Sequence, residues 1–325
     1  MAHTLLLLET AYHRIGERIR ALSDDLDILA MDGAGAFRLN GAPHKAAIDP
    51  TLAWMGLDLY RCPQAAKFSA AVTDAANLAW VQTALAGVEA PIYRGLLKRG
   101  VRLCSSDAQA PSIADFIVGC VLGHFQQYAR RLALQADKVW QPVEFRELSS
   151  THWLIIGYGS IGQEVARRVS AFGAKVTGVR RTQSTSEWAD VIHPDQLSAI
   201  LPQADVVVLA CALTDETRYM VDADFLAALK ANSTLVNVGR GALVVDDDLL
   251  AALDAGTVEH AILDVFDPEP LPDSHPYWQH PRVLTTSHGA SFGDGMAARG
   301  DQLFLDNLAR LLAGEPLHKE VPPVA

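Results

Sequence analysis

The chain has 325 residues, half of them hydrophobic and a fifth charged, with a formal net charge of -11. At about 100–200 residues per domain this is length for two globular domains. The acidic balance argues against bulk binding to nucleic acid or to an anionic membrane, both of which need a basic face. No uncharged apolar run approaches a membrane-spanning length. Cys62, Cys104, Cys120 and Cys211 are scattered without C-x-x-C spacing. That pattern speaks against a disulfide framework or a metal site and for reduced thiols in a cytoplasm.

In chain order, short apolar runs alternate with segments of helical period. "TLLLL" (4–8), "LDILAM" (26–31), "LAWMGL" (52–57), "LAWVQT" (78–83) and "VRLC" (101–104) read as buried strands. Helical spacing fills 11–22 and 63–73, and residues 33–50, with their Gly, Ala and Pro, read as an irregular excursion. "SIADFIVGCVLGHFQQYARRLALQ" (112–135) predicts one long helix with Ser112 as its N-cap. The alternation then restarts with "WLIIG" (153–157), "AKVTGV" (174–179), "ADVVVLA" (204–210), "STLVNV" (233–238), "EHAILDV" (259–265) and "RVLTT" (282–286). "DDDLLAALDAG" (246–256) shows both ends of a helix, acids at the positive N-terminus and Gly256 after the last turn. A final amphipathic helix is expected over 296–313, then a Pro-rich tail. Strands alternating with helices imply parallel sheets covered on both faces, so the fold class is α/β with two doubly wound units.

"LIIGYGSIGQEVARRVSAFG" fits G-x-G-x-x-G at Gly157, Gly159 and Gly162, after an apolar strand and at the start of a helix. That context is the dinucleotide-binding fingerprint. Gly157 permits the tight turn, Gly159 lets a pyrophosphate approach the backbone, and Gly162 lets helix and strand pack. The helix N-terminus offers N–H donors to phosphate. The following strand ends at Val179, where an NAD-binding fold usually places an acid for the ribose 2′-hydroxyl. Here "VRRTQ" offers Arg180, Arg181 and Thr182 instead. Guanidinium groups favour a 2′-phosphate through charge-assisted, often bidentate hydrogen bonds. The expected cofactor is therefore NADP(H), with NAD(H) possible. The alternative is a solvated pair of surface arginines.

Three later stretches place polar residues just past buried strands, where open α/β sheets bind ligands. "LVNVGRGALV" sets Arg240 between glycines, "ILDVFDPEPLP" carries Asp264, Asp267 and Glu269, and "RVLTTSHGAS" ends on His288. A fixed cation, a carboxylate and an imidazole form a coherent acid–base set. Taken singly, each has a bland reading: a surface ion pair, a solvated loop acid, a satisfied structural histidine.

The ordered succession of "LIIGYGSIG", "NVGRG", "LDVFDPEPLP" and a late histidine resembles the D-isomer-specific 2-hydroxyacid dehydrogenase family, over nearly the whole chain. The first half matches more loosely, through "LAWVQTALAGVEAP". The resemblance implies a flavodoxin-like substrate domain from 1–111 plus 292–325 and a Rossmann cofactor domain from 112–291. It implies a cleft between them whose closure excludes water, and a homodimer formed through the cofactor domain. It implies that Arg240 binds the substrate carboxylate and polarises the keto oxygen. His288 would donate a proton to that oxygen, and Glu269 would hydrogen-bond His288 and raise its pKa. Asp264 would hold the nicotinamide carboxamide. Ala86, Gly87 and Val88 would bind the substrate carboxylate through their backbone.

Around the cofactor the resemblance implies contacts from Gly157, Tyr158, Gly159, Ser160, Ile161 and Gly162, from Cys211, Ala212, Leu213 and Thr217, and from Val238, Gly239, His288 and Ala290. It departs from the family where "CALT" stands for a Pro-Leu-Thr segment, Asp115 for a Glu, "SSTHW" for a Gly-Lys-Thr lead, and "SHGAS" for Pro-His-Ile. These bear on subfamily and substrate. The expected activity is NADPH-dependent reduction of small 2-keto acids such as glyoxylate or hydroxypyruvate. An NAD-linked catabolic dehydrogenase and a dinucleotide-sensing binding protein stand as alternatives. Formate dehydrogenases are set aside because they carry Gln where Glu269 stands. His275, Tyr277, Trp278 and His280 either line the substrate entrance or pack their connection. Trp54 and Met55 are either core or one wall of the cleft.

Overall fold

The computed structural model describes residues 3–182 and 184–323. The chain divides into two compact units, Met1–Gln109 with Asp294–Ala325, and Ala110–Gly293. The expected divisions at 111/112 and 291/292 fall two residues inside the second unit.

The first unit holds β1 (His3–Leu8), α1 (Glu9–Leu22), β2 (Leu26–Met31), β3 (Phe37–Leu39), β4 (Ala42–His44), β5 (Leu52–Met55), α2 (Ala65–Asp74), β6 (Trp80–Thr83), α3 (Pro91–Lys98) and β7 (Arg102–Cys104). The second holds α4 (Ala110–Phe125), α5 (Tyr128–Ala136), β8 (His152–Ile156), α6 (Ser160–Ala171), β9 (Lys175–Val179), β10 (Asp190–Ile192), α7 (Leu197–Ile200), β11 (Val206–Leu209), α8 (Ala223–Ala227), β12 (Ser233–Asn237), α9 (Asp246–Ala255), β13 (Val258–Leu263) and β14 (Val283–Thr285). The chain then returns to the first unit with α10 (Met296–Ala313).

The second sheet runs β10-β9-β8-β11-β12-β13-β14 with every pairing parallel. The first runs β4-β3-β2-β1-β5-β6-β7. In both, the order reverses beside the first parallel strand, which is the doubly wound arrangement. Consecutive strand residues face opposite layers. Ile155 packs into one core while Leu154 and Ile156 pack into the other. Leu5 and Leu7 likewise part from Leu6 and Leu8. That explains why these strands read as unbroken apolar runs. α10 anchors on its own unit through Phe304, stacked at 5.0 Å on Trp54 and 5.8 Å on Trp80.

Three expectations are corrected. Residues 33–50 are not wholly irregular. They contain the antiparallel hairpin β3–β4, turned by Asn40 (φ 50) and Gly41 (φ 85), the positive-φ pair that a two-residue hairpin turn requires. The long helix over 112–135 is two helices, broken where Gln127 takes φ 52. The Gln127 amide donates to Glu144 O at 2.8 Å and Arg131 reaches Gln126 O at 2.7 Å, so tertiary bonds hold the break. Ser112 is not the N-cap. α4 begins at Ala110, and Pro111 occupies its first turn, where a missing N–H costs no helical bond.

Candidate active site

The turn from β8 into α6 is shaped by three glycines that do different things. Gly157 has φ 100, and a Cβ there would collide with the backbone of Ala210 and Cys211. A Cβ on Gly162 would lie 2.7 Å from Gly157 O and 3.0 Å from Ile155, so its absence lets α6 sit on β8. At Gly159 a Cβ would meet nothing within 4 Å. The first and third glycines are needed by the protein's own packing, and the middle one leaves open space in front of a helix N-terminus. That is the cradle a pyrophosphate requires, so the residues present fit a dinucleotide.

A cleft of about 630 Å³ opens beside this turn, lined by Gly157, Gly159, Arg180, Arg181, Cys211 and Ala212 among others. Arg180 and Arg181 follow β9 directly, and the Arg180 N–H bonds to Ile192 O at 3.0 Å, which fixes the strand end. Opposite, Thr217 fastens the loop after β11: its hydroxyl donates to Ala212 O at 2.8 Å and accepts the Thr214 N–H at 2.8 Å. Burial pushes the Cys211 thiol up, so it is neutral in this wall. Glu216 lies on the same rim. The Thr214 hydroxyl, first, and the Arg181 charge hold its carboxyl below the usual range.

A second group gathers where β12, β13 and β14 end. Asn237 clamps the "NVGRG" turn, accepting the Gly239 N–H at 3.0 Å and donating to Arg240 O at 2.9 Å. Arg240 Nη1 donates to Gly239 O at 2.7 Å. A Cβ on Gly241 would collide with Phe266 and Asp267, so this glycine lets the Arg240 turn lie against the turn that carries Glu269. Glu269 uses both oxygens: Oε1 accepts the Phe266 N–H at 3.0 Å and Oε2 meets His288 Nδ1 at 2.9 Å. With Nδ1 committed as donor, Nε2 is the ring atom that faces other business.

His288 takes φ 51, a left-handed conformation rare outside glycine. Asp264 holds it there. Its backbone O accepts the His288 N–H at 2.8 Å. Its buried carboxylate accepts the Thr286 hydroxyl at 2.6 Å, the Gly289 N–H at 2.8 Å and the Ala290 N–H at 3.0 Å. About four lone-pair sites serve a carboxylate, and these bonds use three of them.

Residues 118–290, more than half of the chain, match the family model described as D-isomer specific 2-hydroxyacid dehydrogenase, NAD binding domain. The chain belongs to this family. Over 238 residues it is 33% identical to glyoxylate/hydroxypyruvate reductase A of Serratia proteamaculans, covering 71% of this chain and 75% of the relative. A D-isomer specific 2-hydroxyacid dehydrogenase family protein from Aeromonas salmonicida superposes with a TM-score of 0.80 at 29% identity, over 100% of both chains. The NADPH-dependent glyoxylate/hydroxypyruvate reductase of Sinorhizobium meliloti, crystallised with NADP and sulfate, gives 0.72 at 25% identity over 100% and 99%. The protein is thus an NAD(P)-dependent dehydrogenase of the 2-hydroxyacid class.

In this dehydrogenase the expected site residues fall into separate places. Arg240, Glu269 and His288 stand at neighbouring strand ends. The Val238 N–H bonds to Leu209 O at 3.1 Å, and a Cβ added to Gly239 would stand 3.0 Å from Cys211 O. Ala290 is buried behind His288. Ala86, Gly87 and Val88 belong to the other unit, in the loop after β6, where Thr83 Oγ1 and Tyr93 Oη meet at 2.8 Å. Tyr277 is buried with its hydroxyl 3.0 Å from Asp246 Oδ1, and His280 lies 3.3 Å from Asp254, so both pack the connection. Trp54 and Met55 are core in the first unit. Sequence reasoning missed His193, Pro194 and Met220, which line the 630 Å³ cleft. Only their position after strands of this sheet could have signalled them. It also missed Asn237 and Thr286, whose side chains hold the two turns.

Proposed function

We propose that the enzyme reduces small 2-keto acids of the glyoxylate or hydroxypyruvate kind with NADPH, with Arg240, Glu269 and His288 as its working residues. The observation that carries this reading is the 2.9 Å pairing of His288 Nδ1 with Glu269, beside the Arg240 turn at the ligand-binding edge of the sheet. When bound, the nicotinamide supplies the hydride. Arg240 binds the substrate carboxylate and draws charge onto the keto oxygen. His288, charged and held by Glu269, gives its Nε2 proton to that oxygen and leaves a 2-hydroxy acid. Asp264 fixes the imidazole and offers its remaining acceptor direction to the nicotinamide amide. Backbone N–H groups at Ala86, Gly87 and Val88 take part in holding the carboxylate. Arg180, Arg181 and Thr182 bind the 2′-phosphate, a reading supported by the NADP of the Sinorhizobium relative.

A homodimer through the second unit belongs to the same proposal. Among the described residues α5 buries none of its own, and Tyr128, Leu132, Val139, Trp140 and Phe145 are exposed, Trp140 completely. An exposed apolar patch of this kind, on α5 and the segment that follows it, calls for a second copy. A cytoplasmic setting accords with four free thiols. No helix among the described residues is long and apolar enough to cross a membrane.

The test is a parallel screen of glyoxylate, hydroxypyruvate and pyruvate with NADPH and with NADH, in wild type and Arg180→Asp. We expect NADPH to be preferred and the substitution to swing preference toward NADH. NADPH binding without oxidation by any keto acid would overturn the enzyme reading. A wild type that prefers NADH would overturn the cofactor reading alone.

A further inference from the structure

We infer that Tyr158 is a positioning residue for cofactor choice, acting through Ser186 on the loop that carries the arginines. The inference rests on the NADPH reading above. Ten residues, 180–189, connect β9 to β10, and a loop of that length needs anchors to present a fixed charge pattern. Tyr158, the second residue of the Gly-rich turn, supplies one on either side of the arginines. Its N–H bonds to Val179 O at 2.9 Å, immediately before Arg180. Its buried ring lies over Gly178, where any Cβ would collide with it. Its hydroxyl meets Ser186 Oγ at 2.6 Å.

Ser186 Oγ also accepts the Trp188 N–H at 3.1 Å, and Ser170 on α6 donates to Trp188 O at 3.0 Å. Among the described residues the loop is therefore held just before Arg180, at Ser186 and at Trp188. Between the pins lies a recess of about 400 Å³ lined by Tyr158, Gln163, Arg180, Ser184, Ser186 and Trp188 among others. Ser184 Oγ is buried beside it with no hydrogen-bond partner among the described residues. Glu187 lines the same recess, so the attraction for phosphate depends on where Arg180 is held. Arg180 lines both this recess and the larger cleft beside the Gly-rich turn. A phosphate that sits between them is contacted only if the loop keeps its place. Tyr158 thus ties the turn that receives the pyrophosphate to the loop that reads the adenosine ribose.

The test measures binding without turnover, using 2′,5′-ADP and 5′-AMP, which differ by the 2′-phosphate. Calorimetry is run on wild type, Tyr158→Phe, Ser186→Ala, the double variant and Arg180→Ala. Phenylalanine keeps the ring on Gly178 and removes only the hydroxyl. The loss of one neutral hydrogen bond that orients the site should weaken 2′,5′-ADP by roughly three- to tenfold and leave 5′-AMP unchanged. Tyr158→Phe in the Ser186→Ala background should add nothing, since the contact it removes is already absent there. If Arg180→Ala weakens 2′,5′-ADP but Tyr158→Phe does not, or if Tyr158→Phe weakens both nucleotides equally, the positioning role is overturned and the NADPH reading stands. If wild type binds the two nucleotides equally, the NADPH reading fails and takes this inference with it.

Discussion

At the end of β8 the chain turns on glycines, and the site there is made by leaving side chains out. At the end of β13 it turns on Asp264, and the site there is made by one buried carboxylate that gathers the Thr286 hydroxyl and the Gly289 and Ala290 N–H groups around itself. On the proposed function, the first construction suits a ligand that brings its own charge and needs only open backbone. The second, on the same proposal, holds an imidazole in a fixed direction, and there His288 adopts a left-handed backbone. Such a conformation costs of order 1–3 kcal/mol and persists only where its surroundings over-determine it. Backbone space and side-chain bonding are thus two distinct ways of making a site on one sheet, and they should fail differently.

The largest expected effect is at the second site. His288→Gln should lower kcat for keto-acid reduction by roughly a hundredfold to ten-thousandfold, the usual range for a lost general acid, while NADPH affinity measured by fluorescence stays near wild type. A loss under tenfold would remove His288 from the chemistry. At the first site, Gly157→Ala should damage the fold itself. Strain at φ 100 and a collision with the Ala210–Cys211 backbone should together remove roughly 2–5 kcal/mol of stability. A lowered urea midpoint would show this, and an unchanged one would mean that the turn relaxes freely.

Asp264→Asn sharpens the contrast. Asparagine keeps the shape but presents one amino group to partners that are all donors, so stability should fall by about 1.5–3 kcal/mol and kcat should fall with it. Lost stability with unaltered kcat would separate Asp264 from the placement of His288. The smallest structural effect belongs to Gly159→Ala, where the new methyl meets nothing within 4 Å. Its denaturation curve should stay within about 0.5 kcal/mol of wild type, while NADPH binding weakens roughly tenfold or more. If stability drops instead, the open space at Gly159 is not held for a ligand.

The same contrast explains what could be read from sequence. Glycine spacing after an apolar strand is a local signal, and the packing needs of Gly157 and Gly162 and the open space at Gly159 were legible from it. So were the buried strands, whose residues face two cores and therefore show no polar alternation, and α10, bounded at Met296 and Ala313 as its periodicity predicts. The bonds of Asp264 join residues 22 to 26 positions apart, and no spacing rule reaches that far. The break at Gln127 contains neither Gly nor Pro and depends on partners at Gln126 and Glu144. β10 is three residues, half-exposed, and exists because Arg180 and its neighbours pair with it. The hairpin is different: "NG" at Asn40–Gly41 was a readable turn signal, obscured by the small residues around it.

That hairpin has a bearing on how the protein behaves at high concentration. A parallel sheet that stopped at β2 would present six residues of unpaired backbone to any passing strand. β3 covers half of that edge, along Leu29, Ala30 and Met31, and β4 covers β3, so the sheet ends there on three residues, one of which is Pro43 and has no N–H to donate. Short, proline-bearing borders resist strand addition and the fibrous association that follows from it. Trimming residues 37–44 should therefore leave much of the first unit's core in place yet turn a well-behaved protein into one that self-associates through its sheets.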